Sequence, residues 1–427
     1  MRQKRLLTLI CIFALVIGTL AYNTKGEVYG ETNYSEDVYM SVDEQGNIET
    51  NEIEEVDNSA LENALRLSEE IDVLAPEEVN EVYEGDGQVV QLTFANAGVA
   101  TDTTSSTGVS FGIVIFNQSS TVTTPYTNVE TGYTGCYLSG ALAPEAAYLG
   151  TDGDGNVLFK QADVYGKVRA SLVNVVNYSD SLYTSRYKVS NGKIYHYITT
   201  NLTSAASSYV VGYTQSYMQE GATYFSYDGH YFYTNYKVML DDYMNHTYVN
   251  SINSTKPYYN YYQYLSHRST TTLTAAQIDA FIYEKITQNY SSLQSYINRY
   301  LPNSGLTPYD SKLIGIGADL IKAQNTYGVN ALLVLGVAIN ESYYGCSNKA
   351  FTTNNLFGHA VYDSDTSSGS VYGSVYAGIV GHMEYFLSDG YLNPWNWKYF
   401  GTNLGNKQSG LNVKYASDPY WGEKAAA

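Results

Sequence analysis

The apolar positions along this chain change rhythm several times, and each change marks a different kind of element. Residues 6–21 form one apolar run behind Arg2, Lys4 and Arg5. From about residue 88 to 200 the apolar runs turn short and alternate, the mark of strands. Residues 111–116 read as a continuous apolar strand. Residues 148–151 and 157–159 flank a turn at 152–156, and residues 189–194 turn at Asn191-Gly192, a pair suited to a type I′ turn. Short strands with regular turns predict a small β-barrel. Residues 201–272 are crowded with Tyr, Asn and Ser, and 224–233 alternate around Asp228-Gly229 as a further hairpin. The period then shifts to 3.6. Thr274 with Gln277 predicts a capping box, followed by Ile278, Phe281, Ile282 and Ile286 on one face. Residues 306–327 contain a further predicted helix, with Leu313, Ile316, Gly317 and Leu320 inward, and 379–388 form another, broken by Gly390. The run 331–339 is apolar throughout, which fits a helix buried on most sides and ended by a left-handed Gly345.

Charge alters the picture only near the N-terminus. The formal net charge is −19, and residues 27–86 hold twenty acids against Arg66 alone, the whole of that imbalance. Such a segment repels itself and has little to bury, so 27–87 reads as an acidic disordered linker. Residues 1–26 read as an export signal peptide, whose apolar run is shorter than the ~20 residues of a membrane span. No membrane association is expected beyond it. Cys11 follows Ile10, where lipid attachment wants a small residue, so an anchored lipoprotein is excluded. Cys136 and Cys346 then remain, too few for a disulfide framework. Nothing is basic enough to bind nucleic acid. Asp152, Asp154 and Asn156 have the alternation of a calcium loop, but Val157 stands where glycine is needed. A hairpin turn fits better, and neither a metal nor another cofactor is expected.

Glu341 is where chemistry concentrates. It falls in the last turn of the apolar helix, beside a core and at the negative end of the helix dipole. Both influences disfavour its ionised form. A carboxylic acid kept protonated near neutral pH is what glycoside cleavage needs, since the leaving oxygen must receive a proton. The plainer alternative is a solvated residue at a helix end.

Three motifs extend this. Glu341-Ser342 with Gly345 (E-S-x-x-G) is followed by Asn354-Asn355-Leu356-Phe357-Gly358, and near the end by Tyr415-Ala416-Ser417-Asp418-Pro419-Tyr420-Trp421-Gly422-Glu423. In that order they resemble the bacterial peptidoglycan endo-β-N-acetylglucosaminidases of glycoside hydrolase family 73, over about residues 274 to 427. The resemblance implies a mainly helical, lysozyme-like (α+β) catalytic domain and cleavage after N-acetylglucosamine, with Glu341 as general acid. Tyr415 matches a tyrosine of that cleft. For a second carboxylate, Asp363 is the candidate and Asp365 its competitor, either activating water or holding the 2-acetamido group. Tyr343, Tyr344, Tyr362, Trp395 and Trp397 are candidate platforms for sugar faces. Asn354, Asn355 and Phe357 either contact sugar or only shape their loop. Residues 146–151 with Gly166-Lys167-Val168 resemble the SH3-like modules upstream of such enzymes, although Lys167 stands where an aromatic is common.

The resulting organisation is a signal at 1–26, a linker at 27–87, an SH3-like β domain at 88–200, a Tyr-rich β-hairpin module at 201–272 and a catalytic domain at 273–427. The expected protein is a secreted, wall-associated, monomeric hydrolase acting on peptidoglycan glycan strands. A lytic transglycosylase or muramidase on the same fold is the near rival. A catalytically inactive wall-binding adhesin is the rival from another class. An amidase is disfavoured, because Cys346 has no evident His and acid partners.

Overall fold

The computed structural model describes residues 111–359 and 369–427, with the backbone of strands β1 (Val38–Val42), β2 (Ile48–Glu52), β3 (Glu81–Tyr83) and β4 (Val89–Gln91). β1 pairs with β2 and β3 with β4, both antiparallel. The segment read as an export signal, most of the segment read as an acidic linker, and Tyr362, Asp363 and Asp365 lie outside the described residues.

The first sheet holds β5 (Gly112–Phe116), β6 (Thr124–Asn128), β7 (Cys136–Leu138), β8 (Glu145–Thr151), β9 (Asn156–Gln161), β10 (Val164–Arg169) and β11 (Val173–Asn177). Its order is β11-β5-β8-β9-β10-β6-β7, antiparallel throughout. Among the described residues the two end strands do not pair, so the expected barrel is an open ladder. Val114, Phe116, Tyr126, Phe159 and Val168 fill its core, with Phe159 edge-on to Phe116 at 5.1 Å. The turn between β8 and β9 closes on itself, Asp152 Oδ1 accepting from the backbone of Asp154 (3.0 Å) and Asn156 (2.8 Å).

The second sheet has the order β14-β13-β12-β15, from β12 (Arg186–Ser190), β13 (Lys193–Ile198), β14 (Ser207–Tyr213) and β15 (Thr223–Tyr224). Asn191 and Gly192 both take positive φ (51° and 71°), as the type I′ turn demands. Pairing of β13 with β14 carries this sheet across residue 200. The Tyr-rich stretch is not hairpin alone: α1 (Tyr236–Met244) and α2 (Tyr261–Tyr264) follow the Phe225–Tyr233 bridge. Tyr227, Tyr233, Tyr236 and Tyr243 are buried with Ile113, Ala147 and Tyr165 of the first sheet. These rings cover the first sheet.

The helical region comprises α3 (Ala275–Gln288), α4 (Tyr290–Tyr300), α5 (Gly317–Tyr327), α6 (Ala331–Ser342), α7 (Asn348–Thr353), α8 (Val375–Gly381) and α9 (Trp421–Ala426). The capping box forms as expected, Thr274 and Gln277 each satisfying the other's backbone. Ile278, Ile282 and Ile286 point inward, but Phe281 is exposed. Leu313 and Ile316 are buried in the loop before α5, not within a helix. After α8 the chain continues as a π-helix, His382–Tyr391, and Gly390 sits buried inside it rather than ending it. One core joins α3 to α6, Phe351, Phe357, Leu387 and Trp421.

Candidate active site

α6 is the spine of the site. Asn330 caps its start, accepting from the backbone of Leu332 (2.9 Å) and Leu333 (3.4 Å). Leu333, Val334, Leu335, Val337 and Ala338 are buried, which anchors the helix on most of its circumference. Its end departs from expectation. Tyr343 (φ 51°) and Tyr344 (φ 57°) already adopt the left-handed conformation before Gly345 (φ 73°). Non-glycine residues pay for that geometry, and such strain collects at functional sites. Ser342 supports the turn, its hydroxyl bonding back to Ala338 O and accepting from Gly345 N.

The carboxylate of Glu341 is half-buried beside this turn. The indole N–H of Trp421 donates to its Oε1, and the Asn340 amide donates to the same oxygen at 3.3 Å. The other oxygen faces Gly358, where an added Cβ would stand 2.9 Å from Oε2. A side chain at 358 would press on that oxygen, and the φ of +65° suits glycine as well. Burial pushes the Glu341 carboxyl up to about 7, helped by the charge of Asp418 and opposed by the Trp421 and Asn340 donors.

Tyr415 ties the two other motifs together. Its ring stacks on Trp421 at 4.3 Å and its hydroxyl donates to Phe357 O at 3.0 Å. Phe357 lies flat on His382 at 4.0 Å, and His382 Nδ1 bonds His359 Nε2 at 2.9 Å. His359 Nδ1 meets the Tyr372 hydroxyl at 2.6 Å. Burial pulls His359 down to about 3 and His382 well below the usual histidine range, so both rings are neutral props. The π-helix serves the site by presenting His382 under the 354–358 loop.

The structure thus brings Glu341, Tyr415 and Phe357 together and adds Trp421 and Gly358. Asn355 is buried and committed to its loop, accepting from Phe357 N and His359 N and donating to His359 O. Asn354 takes φ 51° and donates to Tyr372 O at 2.9 Å. Tyr343 stacks on Tyr296 at 4.1 Å, and Tyr344 is half-buried. Trp395 (95% exposed) and Trp397 (60%) stand in solvent, with Lys414 Nζ over the Trp397 ring at 5.2 Å. Cys346 is buried with its thiol pushed up to about 12 by that burial, unfit as a nucleophile. Among the described residues no three His, Cys, Asp or Glu side chains converge as metal ligands. Trp421 was legible only as a letter in the Y-A-S-D-P-Y-W-G-E run; its bond to Glu341 spans 80 residues.

Comparison with known proteins gives the following likenesses. Residues 317–427 match the Glucosaminidase family, described as Mannosyl-glycoprotein endo-beta-N-acetylglucosaminidase. Proteins from two strains of Streptococcus pneumoniae, each provisionally named endo-beta-N-acetylglucosaminidase, are 40% identical over 119 residues. That stretch is 28% of this chain and 17% and 16% of theirs, so the chain spans about a sixth of the length of these relatives. Crystal structures of S. aureus autolysin E align at 18% identity and a TM-score of 0.26, covering 39% of this chain and 68% of theirs. One of them is a catalytic mutant in complex with the disaccharide NAG-NAM.

Proposed function

We propose that the glucosaminidase domain matched over residues 317–427 hydrolyses the β-1,4 bond after N-acetylglucosamine in peptidoglycan, with Glu341 as general acid. The observation that carries this reading is a carboxyl fixed on one oxygen by the Trp421 N–H and lying against Gly358 on the other, with burial pushing its pKa up to about 7. As the glycosidic C–O bond breaks, that proton passes to the leaving oxygen while positive charge grows at the anomeric carbon. Tyr415 backs the Trp421 indole, and the His382–Phe357 stack supports the loop that carries Gly358. The helical region is lysozyme-like in this reading, and the first sheet is an SH3-like module that presents it to the wall. The protein acts outside the cell, as a monomer, after export.

Activity is expected to decline as pH rises through about 7, because Glu341 then loses the proton the reaction uses. A pH profile of kcat/KM on purified cell wall checks this. A flat profile from pH 6 to 9 would remove Glu341 from the acid's role.

Mass spectrometry of the released fragments separates the reactions. Reducing N-acetylglucosamine ends are expected. Reducing or anhydro N-acetylmuramic ends would instead make the protein a muramidase or a lytic transglycosylase.

Asp363 is the partner carboxylate in this proposal, activating water or orienting the acetamido group. Asp363→Asn is therefore expected to cut turnover while leaving glycan binding nearly intact. Binding is spread over many contacts, whereas the carboxylate acts as charge develops. Asp365→Asn is the control in the same stretch of chain. Loss at Asp365 with normal turnover at Asp363 would transfer the role.

A further inference from the structure

The second sheet reaches the acid through one short helix. α9 has six residues, too few to hold its own shape, so its contacts must orient it. Trp421 and Glu423 stand two positions apart on it, about 200° around the axis, and so face nearly opposite ways. Trp421 donates to Glu341. Glu423 turns to the sheet, where His196 Nδ1 of β13 meets its Oε1 at 2.7 Å and the Tyr187 hydroxyl of β12 donates to its Oε2 at 3.1 Å. Tyr187 stacks on His196 at 4.1 Å, Tyr420 meets that ring edge-on at 4.6 Å, and Tyr209 reaches its Nδ1 at 3.3 Å. His196 and Glu423 are both buried. Out of water, these groups are held in place by the hydrogen bonds they make to one another.

We propose that His196 and Tyr187 are positioning residues for the glycosidase reaction. By gripping Glu423 they fix the rotation of α9, and so the approach of the Trp421 N–H to Glu341. The β region is then part of the catalytic machinery rather than only a means of attachment to the wall. This rests on the reading of Glu341 as the acid. The charged and titratable groups around the two ends are few. Glu341 faces Asp418 and Tyr415, and Asp418 is itself paired with Lys424 at 2.6 Å. Around Glu423 and His196 stand Tyr187, Tyr209, Tyr258, Tyr264 and Tyr420, with Glu145 and Asp228 farther out.

Loosening the grip has a signed consequence. The Trp421 N–H favours the ionised form of Glu341, so its withdrawal raises the acid's proton affinity. In the full-length chain, His196→Leu is expected to lower kcat on peptidoglycan more than it changes KM. The high-pH limb of the profile should move upward by about one unit, a tenfold change in proton affinity. His196→Asn, whose side-chain amide falls near the position of Nδ1, should return the limb towards wild type. Tyr187→Phe, which removes only the bond to Oε2, should move it the same way by less, and serves if the leucine variant does not fold. The indole N–H resonance of Trp421, followed against pH, reports the same titration without turnover. A folded His196→Leu or Tyr187→Phe protein with an unmoved limb and an unmoved Trp421 titration overturns the proposal. Glu341→Gln keeps the two ideas apart: full activity in that variant defeats the assignment of the acid itself, whatever His196 does.

Discussion

Replacing Glu341 by glutamine is expected to lower turnover by about 10²–10⁴-fold while the protein stays folded, the loss typical of a missing general acid. Glutamine fits the site. Its carbonyl oxygen can accept from Trp421 and Asn340 as Oε1 does, so the walls of the site need not rearrange. What disappears is the proton. The variant also carries a stability signature of definite sign. A carboxyl raised from its ordinary value to about 7 binds a proton in the folded state that the unfolded chain has already released. From about pH 4.5 to above 7 that group makes folding progressively less favourable as pH rises. Glutamine has no such cost. Thermal unfolding at pH 5 and at pH 8 should therefore show the variant gaining on wild type at the higher pH. Turnover within tenfold of wild type would dismiss Glu341 as the acid, and an equal change in Tm at both pH values would mean that its carboxyl is not raised.

Much of the fold was written locally, and those parts are the ones the sequence disclosed. A capping box needs only Thr274 and Gln277, and a type I′ turn only Asn191 and Gly192. The apolar run of α6 and the acid in its last turn were equally local. The misses are tertiary. Phe281 shares the helical face of Ile278 and Ile282, yet it is exposed, because periodicity does not say how wide the covered stripe is. Gly390 looks like a helix breaker, but packing in the core carries the π-helix through it. The barrel expected from short strands remains an open order, since closure depends on stagger between strands distant in sequence. In the site, the acid was legible and its partner was not. A bond between residues 341 and 421 leaves no trace in spacing.

Gly336→Ala should damage catalysis far more than it damages the fold. Gly336 lies on α6, five residues before Glu341, where α9 crosses closely: a Cβ there would stand 2.4 Å from the Ala425 carbonyl oxygen. That oxygen belongs to the backbone and cannot swing aside as a flexible side chain would. α9 must retreat by about an ångström to restore ordinary contact distance. Alanine in a helix interior stabilises by about 1 kcal/mol over glycine, while overpacking costs about 1–3 kcal/mol. The net effect on stability is therefore a loss of about 0–2 kcal/mol, which a protein of this size can bear and still fold. Catalysis has no such offset. Trp421 travels with α9, so the N–H that holds Oε1 withdraws, and a displacement of about 1 Å at a reacting group can cost about 10²-fold. The variant should show a Tm at or a few degrees below wild type, kcat lowered by about that factor, and a high-pH limb shifted upward. A kcat within twofold of wild type would mean that α9 yields at Gly336 without moving Trp421, or that the reaction does not need the Trp421 N–H.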